Sequence, residues 1–340
     1  MVRAMGMIAP AHKRLNAEFL DSRGSLLADP PTSPGATLDP PTLILAHISG
    51  DDAEGPAIPW EDLEKHIAAV TGKTVEDAPF ENSRGQIDDI KNGKITIVAL
   101  HAAETPFLVN NCGFQPQAVY GDKTGVIGNH LNIIVPTDSQ ITKAADIRSH
   151  SLVCTVPNSI TGYRAAVALL MKNEGLRPNV DYAVTWSLGQ KKSIHGVIKK
   201  TFTSAAVSDD KLQSMVHQGK INPADFRTIY SSEVIPRTTI GYFYNLKPEL
   251  AAKIRGEILS FKPDRPVAAK ETGEAESANT DLSGGTSNSL RFIAIDYKRD
   301  FELVRLIDDS FDPRLGAKPP KAGRVAEPST TATTSAAHQN

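Results

Sequence analysis

The segment Val156-Pro-Asn-Ser-Ile-Thr-Gly-Tyr163 gathers the side chains best placed to do chemistry. It offers the Asn158 amide, the Ser159 and Thr161 hydroxyls, the Tyr163 phenol, and Gly162, which lets backbone approach a ligand. An apolar run over 151–156 precedes it and reads as a strand; a helix is expected over 162–174. A helix N-terminus presents unpaired N–H groups and a partial positive charge. Hydroxyl donors beside it make an oxyanion cradle that needs no lysine. A strand–loop–helix unit also puts the cradle at the carboxyl end of a strand, where open α/β sheets bind ligands. The same Ser159 or Thr161 equally suits a plain helix cap. Both readings stand on the local sequence alone.

Other polar residues carry similar pairs of readings. His101 follows an apolar strand and either faces a cleft or is a satisfied strand-end histidine; His130 is a similar case. Lys191 and Lys192 read as a cation for a ligand or as a solvated pair. Asp209 opens a helix and reads first as an N-cap. Cys112 and Cys154 form no CxxC pair and no zinc pattern with histidine, so free thiols are expected. No Ser-His-Asp constellation, GxSxG, HExxH or Gly-rich nucleotide loop occurs. Binding without catalysis, cofactor or metal is therefore expected. Lys and Arg total 37 against 39 Asp and Glu, with no basic stripe, which leaves nucleic acid or an anionic membrane without an electrostatic footprint.

The elements that must position these residues follow from periodicity. Residues 1–40, broken by Asp29-Pro-Pro and Asp39-Pro-Pro, read as a flexible arm. Strands are expected at 42–47, 73–78, 95–100, 131–135, 151–156, 181–186, 204–207, 227–230, 239–244 and 290–296. Helices are expected at 60–71, 83–92, 142–147, 162–174, 193–200, 209–217, 247–260 and 301–307. The alternation implies α/β architecture with a parallel sheet. Residues 263–289 read as a flexible insertion and 317–340 as a disordered tail. No run is long enough to cross a bilayer. The first fifteen residues are basic without the apolar centre of a signal peptide. That leaves a cytoplasmic protein, a start other than the native one, or export by a signal of another kind.

Several motifs, in order, carry a resemblance. Pro157-Asn-Ser-Ile-Thr-Gly-Tyr163, with Leu169-Leu170 and Gly175 behind it, resembles the Pro-x-Ser-Thr-Ser-Gly-Tyr loop and following helix of the phosphate/phosphite/phosphonate-binding proteins of ABC importers, the PhnD-like family. Asn92-Gly-Lys-Ile-Thr-Ile97, Ala205-Ala-Val-Ser-Asp-Asp210, Ile229-Tyr-Ser-Ser-Glu-Val-Ile-Pro236 and 296–305 resemble further family segments collinearly.

The resemblance implies a two-lobed type II periplasmic-binding-protein fold with two hinge crossings. Lobe one would be 42–127 plus 240–310 and lobe two 128–238. It implies a small oxyanion ligand, an ABC permease partner, and a periplasmic or other extracytoplasmic location. It also places Ser83, with Arg84 beside it, where the family has a ligand tyrosine on the first lobe, and Asp209 where a substrate amine is met. Ile160 replaces a family threonine, and Gly189-Gln-Lys-Lys192 lacks a family histidine, for which Lys191 or Lys192 would substitute. The alternatives are a ligand sensor that has left transport, or a small-metabolite biosynthetic enzyme on the same fold.

Overall fold

A computed structural model describes residues 15–33, 35–48, 58–80, 87–262 and 290–310. Ser83, Arg84, the 263–289 segment and the 317–340 segment lie outside the described residues. In chain order the elements are β1 (Thr42–Ile48), α1 (Trp60–Thr71), β2 (Thr74–Phe80), α2 (Ile87–Lys91), β3 (Ile97–His101), α3 (Thr105–Cys112), β4 (Phe114–Asp122), β5 (Gly125–Val126), β6 (Gly128–Asn129) and β7 (Leu131–Pro136). Then come β8 (Ser151–Cys154), a wide turn of helix Ile160–Arg164 continuous with α4 (Ala165–Glu174), β9 (Ala183–Trp186), α5 (Gln190–Ile198), β10 (Ala205–Ser208), α6 (Asp209–His217) and β11 (Phe226–Ser231). The chain closes with β12 (Ile235–Pro236), β13 (Thr238–Phe243), α7 (Pro248–Ser260), β14 (Arg291–Ala294), α8 (Tyr297–Asp300) and α9 (Glu302–Asp309).

Among the described residues these strands build two large sheets, with β6 and β12 paired apart from them. The first runs β14-β4-β13-β3-β1-β2, with β5 on β4; the second runs β11-β7-β10-β8-β9. Both are mixed, which corrects the expectation of a parallel sheet. β1, β2 and β3 are mutually parallel, but β13 and β4 run against their neighbours. In the second sheet β8, β9 and β10 are parallel, and β7 is antiparallel to β10. The reversal has a topological cause: strands entering from the other lobe start at the edge where the parallel strands end.

Strand alternation places the cores. Leu43, Leu45, Ile97 and Ala99 face one side of the first sheet and bury against Leu63 and Ile67 of α1 and Leu250, Ile254 and Ile258 of α7. Ala46, Ile48, Val98 and Leu100 face the other side, toward Leu108 and Val109 of α3 and Phe301, Val304 and Ile307 at α9. In the second sheet Ile134, Val153, Ala205 and Val207 pack on Ile194, Val197, Leu212 and Met215 of α5 and α6, while Leu152 and Cys154 face α4. Apolar burial on both faces suits strands covered by helices on each side. α9 touches both α3 and α4, and Lys172 of α4 reaches Glu302 at 2.7 Å.

The arm expected to be loose is irregular but tied down in its described part. Asn16 N–H donates to Asn110 O at 2.8 Å, Gln115 Nε2 donates to Ala28 O at 2.9 Å, and Leu38 N–H donates to Asn245 O at 2.7 Å. Its prolines forbid regular structure, yet backbone bonds to the body satisfy it. The stretch expected as a short helix near 142–147 is a single 3₁₀ turn, Ala144–Ile147. Cys112 and Cys154 are free and buried.

Candidate functional site

The topology defines a cleft. β8, β9 and β10 are parallel and each runs into a helix, so the N-termini of the α4 helix, α5 and α6 share the carboxyl edge of the second sheet. β7, antiparallel to β10, starts at that edge, and β11, antiparallel to β7, ends there. At the first sheet β3 ends at His101, which is registered with Thr238, the first residue of β13. The two connections between the sheets therefore join carboxyl edge to carboxyl edge. They pair with each other as the short ribbon β6–β12, with Gly128 opposite Pro236 and Asn129 opposite Ile235. Ligand sites of open α/β sheets lie at such edges.

The β8-to-helix turn is the best-formed element of this edge. Ser159 caps the helix: its Oγ accepts the Gly162 N–H at 3.0 Å. Thr155 N–H donates to Gly162 O at 3.0 Å, folding the turn back onto the strand end. Gly162 is required for this close approach. A Cβ there would press into Thr155 Oγ1, lie 2.7 Å from Thr155 Cγ2 and lie 2.8 Å from Ser159 Oγ. Among the described residues the N–H groups of Ile160 and Thr161 have no hydrogen-bond partner. The capping of Ser159 and its place at the cleft edge are compatible: its oxygen accepts from Gly162, and its own proton stays available to an acceptor. Thr161 is buried, and Asn158 is exposed. The turn thus gathers neutral donors at the positive end of a helix dipole.

Tyr163 belongs to the same turn and is half-buried. Its ring meets Trp186 edge-on at 4.7 Å. Burial pushes its phenol up to about 12, so the hydroxyl keeps its proton at neutral pH. Lys191 lies in the first turn of α5 and is partly buried. Lys192 beside it is exposed. Asp209 opens α6, whose N-cap is Ser208, so Asp209 does not cap that helix as the sequence led one to expect. Its Oδ1 instead accepts the His130 N–H at 2.7 Å. His130 is committed too: Nδ1 carries the proton and donates to Ser232 O at 2.7 Å. His101 stands on the facing edge, half-buried at the end of β3. Ser159, Thr161, Asn158, Gly162 and Tyr163 therefore share one turn, Lys191 and Asp209 share its sheet edge, and His101 lies on the opposite lobe.

Sequence reading missed several groups here. Thr155 Oγ1 is buried at the base of the turn without a partner among the described residues. On the first lobe Glu104 Oε2 and Thr105 Oγ1, at the start of α3 just past His101, are in the same condition. Arg237, on the second connection directly after β12, has a side chain only 9% exposed. A charged residue directly after Pro236 was the one local signal for it.

Comparisons with known proteins agree with this architecture. Residues 57–283 match the family model described as ABC transporter, phosphonate, periplasmic substrate-binding protein. A Xanthomonas citri protein solved with chloride superposes with a TM-score of 0.54 at 18% identity, covering 81% of this chain and 99% of that one. The same protein solved with ATP gives 0.50 at 18% identity, covering 65% and 83%. A binding-protein component of an ABC phosphonate transporter from Pseudomonas aeruginosa gives 0.44 at 18% identity, covering 76% and 83%. No curated protein matches the chain. No helix among the described residues is long and apolar enough to cross a membrane. With its mixed two-lobed α/β fold and the match over most of its length, the chain belongs to the periplasmic substrate-binding proteins of phosphonate ABC transporters.

Proposed function

We propose that the protein captures a phosphorus oxyanion, namely phosphate, phosphite or a phosphonate, between its lobes and presents it to an ABC permease outside the cytoplasmic membrane, without transforming it. The observation that carries this reading is the Ser159–Gly162 turn, where two unpaired backbone N–H groups and two hydroxyls stand together at a helix N-terminus. Such a seat binds a multiply oxygenated anion through several donors at once. Lys191, in the first turn of a neighbouring helix on the same edge, supplies positive charge where the helix dipole alone disfavours a cation. A bound anion offsets that penalty. Lobe closure around the ligand then excludes water and strengthens these bonds.

The test is a thermal-shift series with phosphate, phosphite, methylphosphonate and sulfate at about 1 mM. A ligand held with a Kd near 10 μM stabilises the fold by about 2.7 kcal/mol, which raises Tm by about 5 °C. A rise with a phosphorus oxyanion and a smaller one with sulfate is expected. No rise with any of the phosphorus anions contradicts the proposal.

A further inference from the structure

Both connections between the lobes are tied to the first turn of α6. Asp209 Oδ1 takes the His130 N–H at 2.7 Å, and Asp209 N–H donates to His130 O at 3.1 Å. His130 lies on the first connection, between β6 and β7, and its ring reaches Ser232 on the second. Asp210, the next residue, receives Arg237 Nη2 on its Oδ2 at 3.1 Å and the Ser208 hydroxyl on its Oδ1. Arg237 lies on the second connection, between β12 and β13. Its Nε and Nη2 also reach Asn129 Oδ1, on the first connection, at 3.0 and 2.6 Å. Its backbone belongs to lobe one: Arg237 O accepts the Ala102 N–H at 2.9 Å. One guanidinium carried by the second connection thus bonds the first connection and a lobe-two helix, while its main chain is fixed to lobe one.

We propose that this clasp of Asp209, Asp210 and Arg237 sets the angle at which the lobes rest when the cleft is empty, with Arg237 as the positioning residue. The chemistry favours it. Asp209 and Asp210 both sit in the first turn of α6, where the helix dipole favours carboxylates, and each bonds a different connection. Arg237 is 9% exposed and Asp210 39%, so their bond is partly shielded from water. Open and closed states of a bilobed protein differ by an amount comparable to one charge-assisted hydrogen bond. Losing that bond therefore shifts the ratio of the two states by roughly tenfold, and apparent affinity follows the population of the competent state. Only this affinity consequence rests on the anion-binding reading.

The clasp is tested on the ligand-free full chain with spin labels on cysteines introduced at Lys253 in α7 and Lys199 just past α5, both exposed. The native Cys112 and Cys154 are buried and stay unlabelled. Pulsed dipolar spectroscopy reads the interlobe distance distribution. Arg237→Ala and Asp210→Ala are expected to shift or broaden it alike, Arg237→Lys to restore most of the parental distribution, and the double variant to add nothing further. Should Arg237→Ala not fold, Asp210→Ala, at a partly exposed site, carries the test. An unchanged distribution in the folded variants overturns the clasp. With inorganic phosphate and methylphosphonate as probes, the same variants should change Kd about tenfold. If neither probe binds the parent protein, the anion reading falls, and the ligand-free distances still decide the clasp.

Discussion

Replacing Ser159 with Ala and Thr161 with Val together should lower affinity for the phosphorus oxyanion by at least about a hundredfold. Each hydroxyl donor lost from a charged acceptor removes roughly 1.5–3 kcal/mol, or about ten- to a hundredfold in Kd. The two single variants separate capping from ligand binding. Ser159 Oγ accepts the Gly162 N–H, so Ser159→Ala also costs about 1 kcal/mol of stability through the lost cap. Thr161→Val keeps the shape of a buried side chain, and no protein acceptor is recorded for its hydroxyl among the described residues. It should therefore leave Tm near the parental value while weakening the ligand. Isothermal titration and a denaturation series on the same preparations check both halves. A Thr161→Val protein that binds as tightly as the parent removes Thr161 from the seat.

Gly162→Ala should cost about 2 kcal/mol and displace the seat, because the added methyl group overpacks a turn already closed. Two of the three atoms in its way, Oγ1 and Cγ2, belong to Thr155. The Thr155→Ala/Gly162→Ala double variant should thus recover most of the lost stability, a strongly non-additive result. Thr155 donates no hydrogen bond through its hydroxyl among the described residues, so removing it leaves no partner unsatisfied. Urea denaturation of the ligand-free variants measures the coupling. Additive losses would mean that the close packing at this turn is misdescribed.

Much of the scaffold was legible because its elements alternate cleanly. α1 begins at Trp60 and ends at Thr71 as periodicity predicts, with Gly72 in the left-handed conformation as its stop. α6 also matches its expected span, and α7 starts with Pro248 in its first turn. The stretch from 102 to 130 was not legible. α3 is only eight residues long and buries Thr105 and Pro106 along with Leu108, Val109 and Cys112, so its apolar positions mark out no clear helical period. β4 contains Pro116, which argues against an interior strand. It is tolerated because the pairing of β4 with β13 shifts register between Ile240 and Gly241, and Gly241 lies opposite Pro116.

The site divides in the same way. The Val156–Tyr163 turn could be read locally, since a strand end, hydroxyls and a helix start are all sequence neighbours. The hinge contacts could not. Asp210 and Arg237 are 27 positions apart, and Asn129 and Arg237 are 108 apart. Only the return of the chain between lobes brings them together. The same crossing gives Asp209 its backbone partner at His130, a role that its place at a helix start did not disclose.

A structure of the protein with bound methylphosphonate or phosphite tests the central claim most directly. The phosphorus oxygens should lie within hydrogen-bond distance of Ser159 Oγ, Thr161 Oγ1 and the N–H groups of Ile160 and Thr161, about 2.6–3.1 Å. Density for the anion elsewhere, with this turn left unliganded, would contradict it.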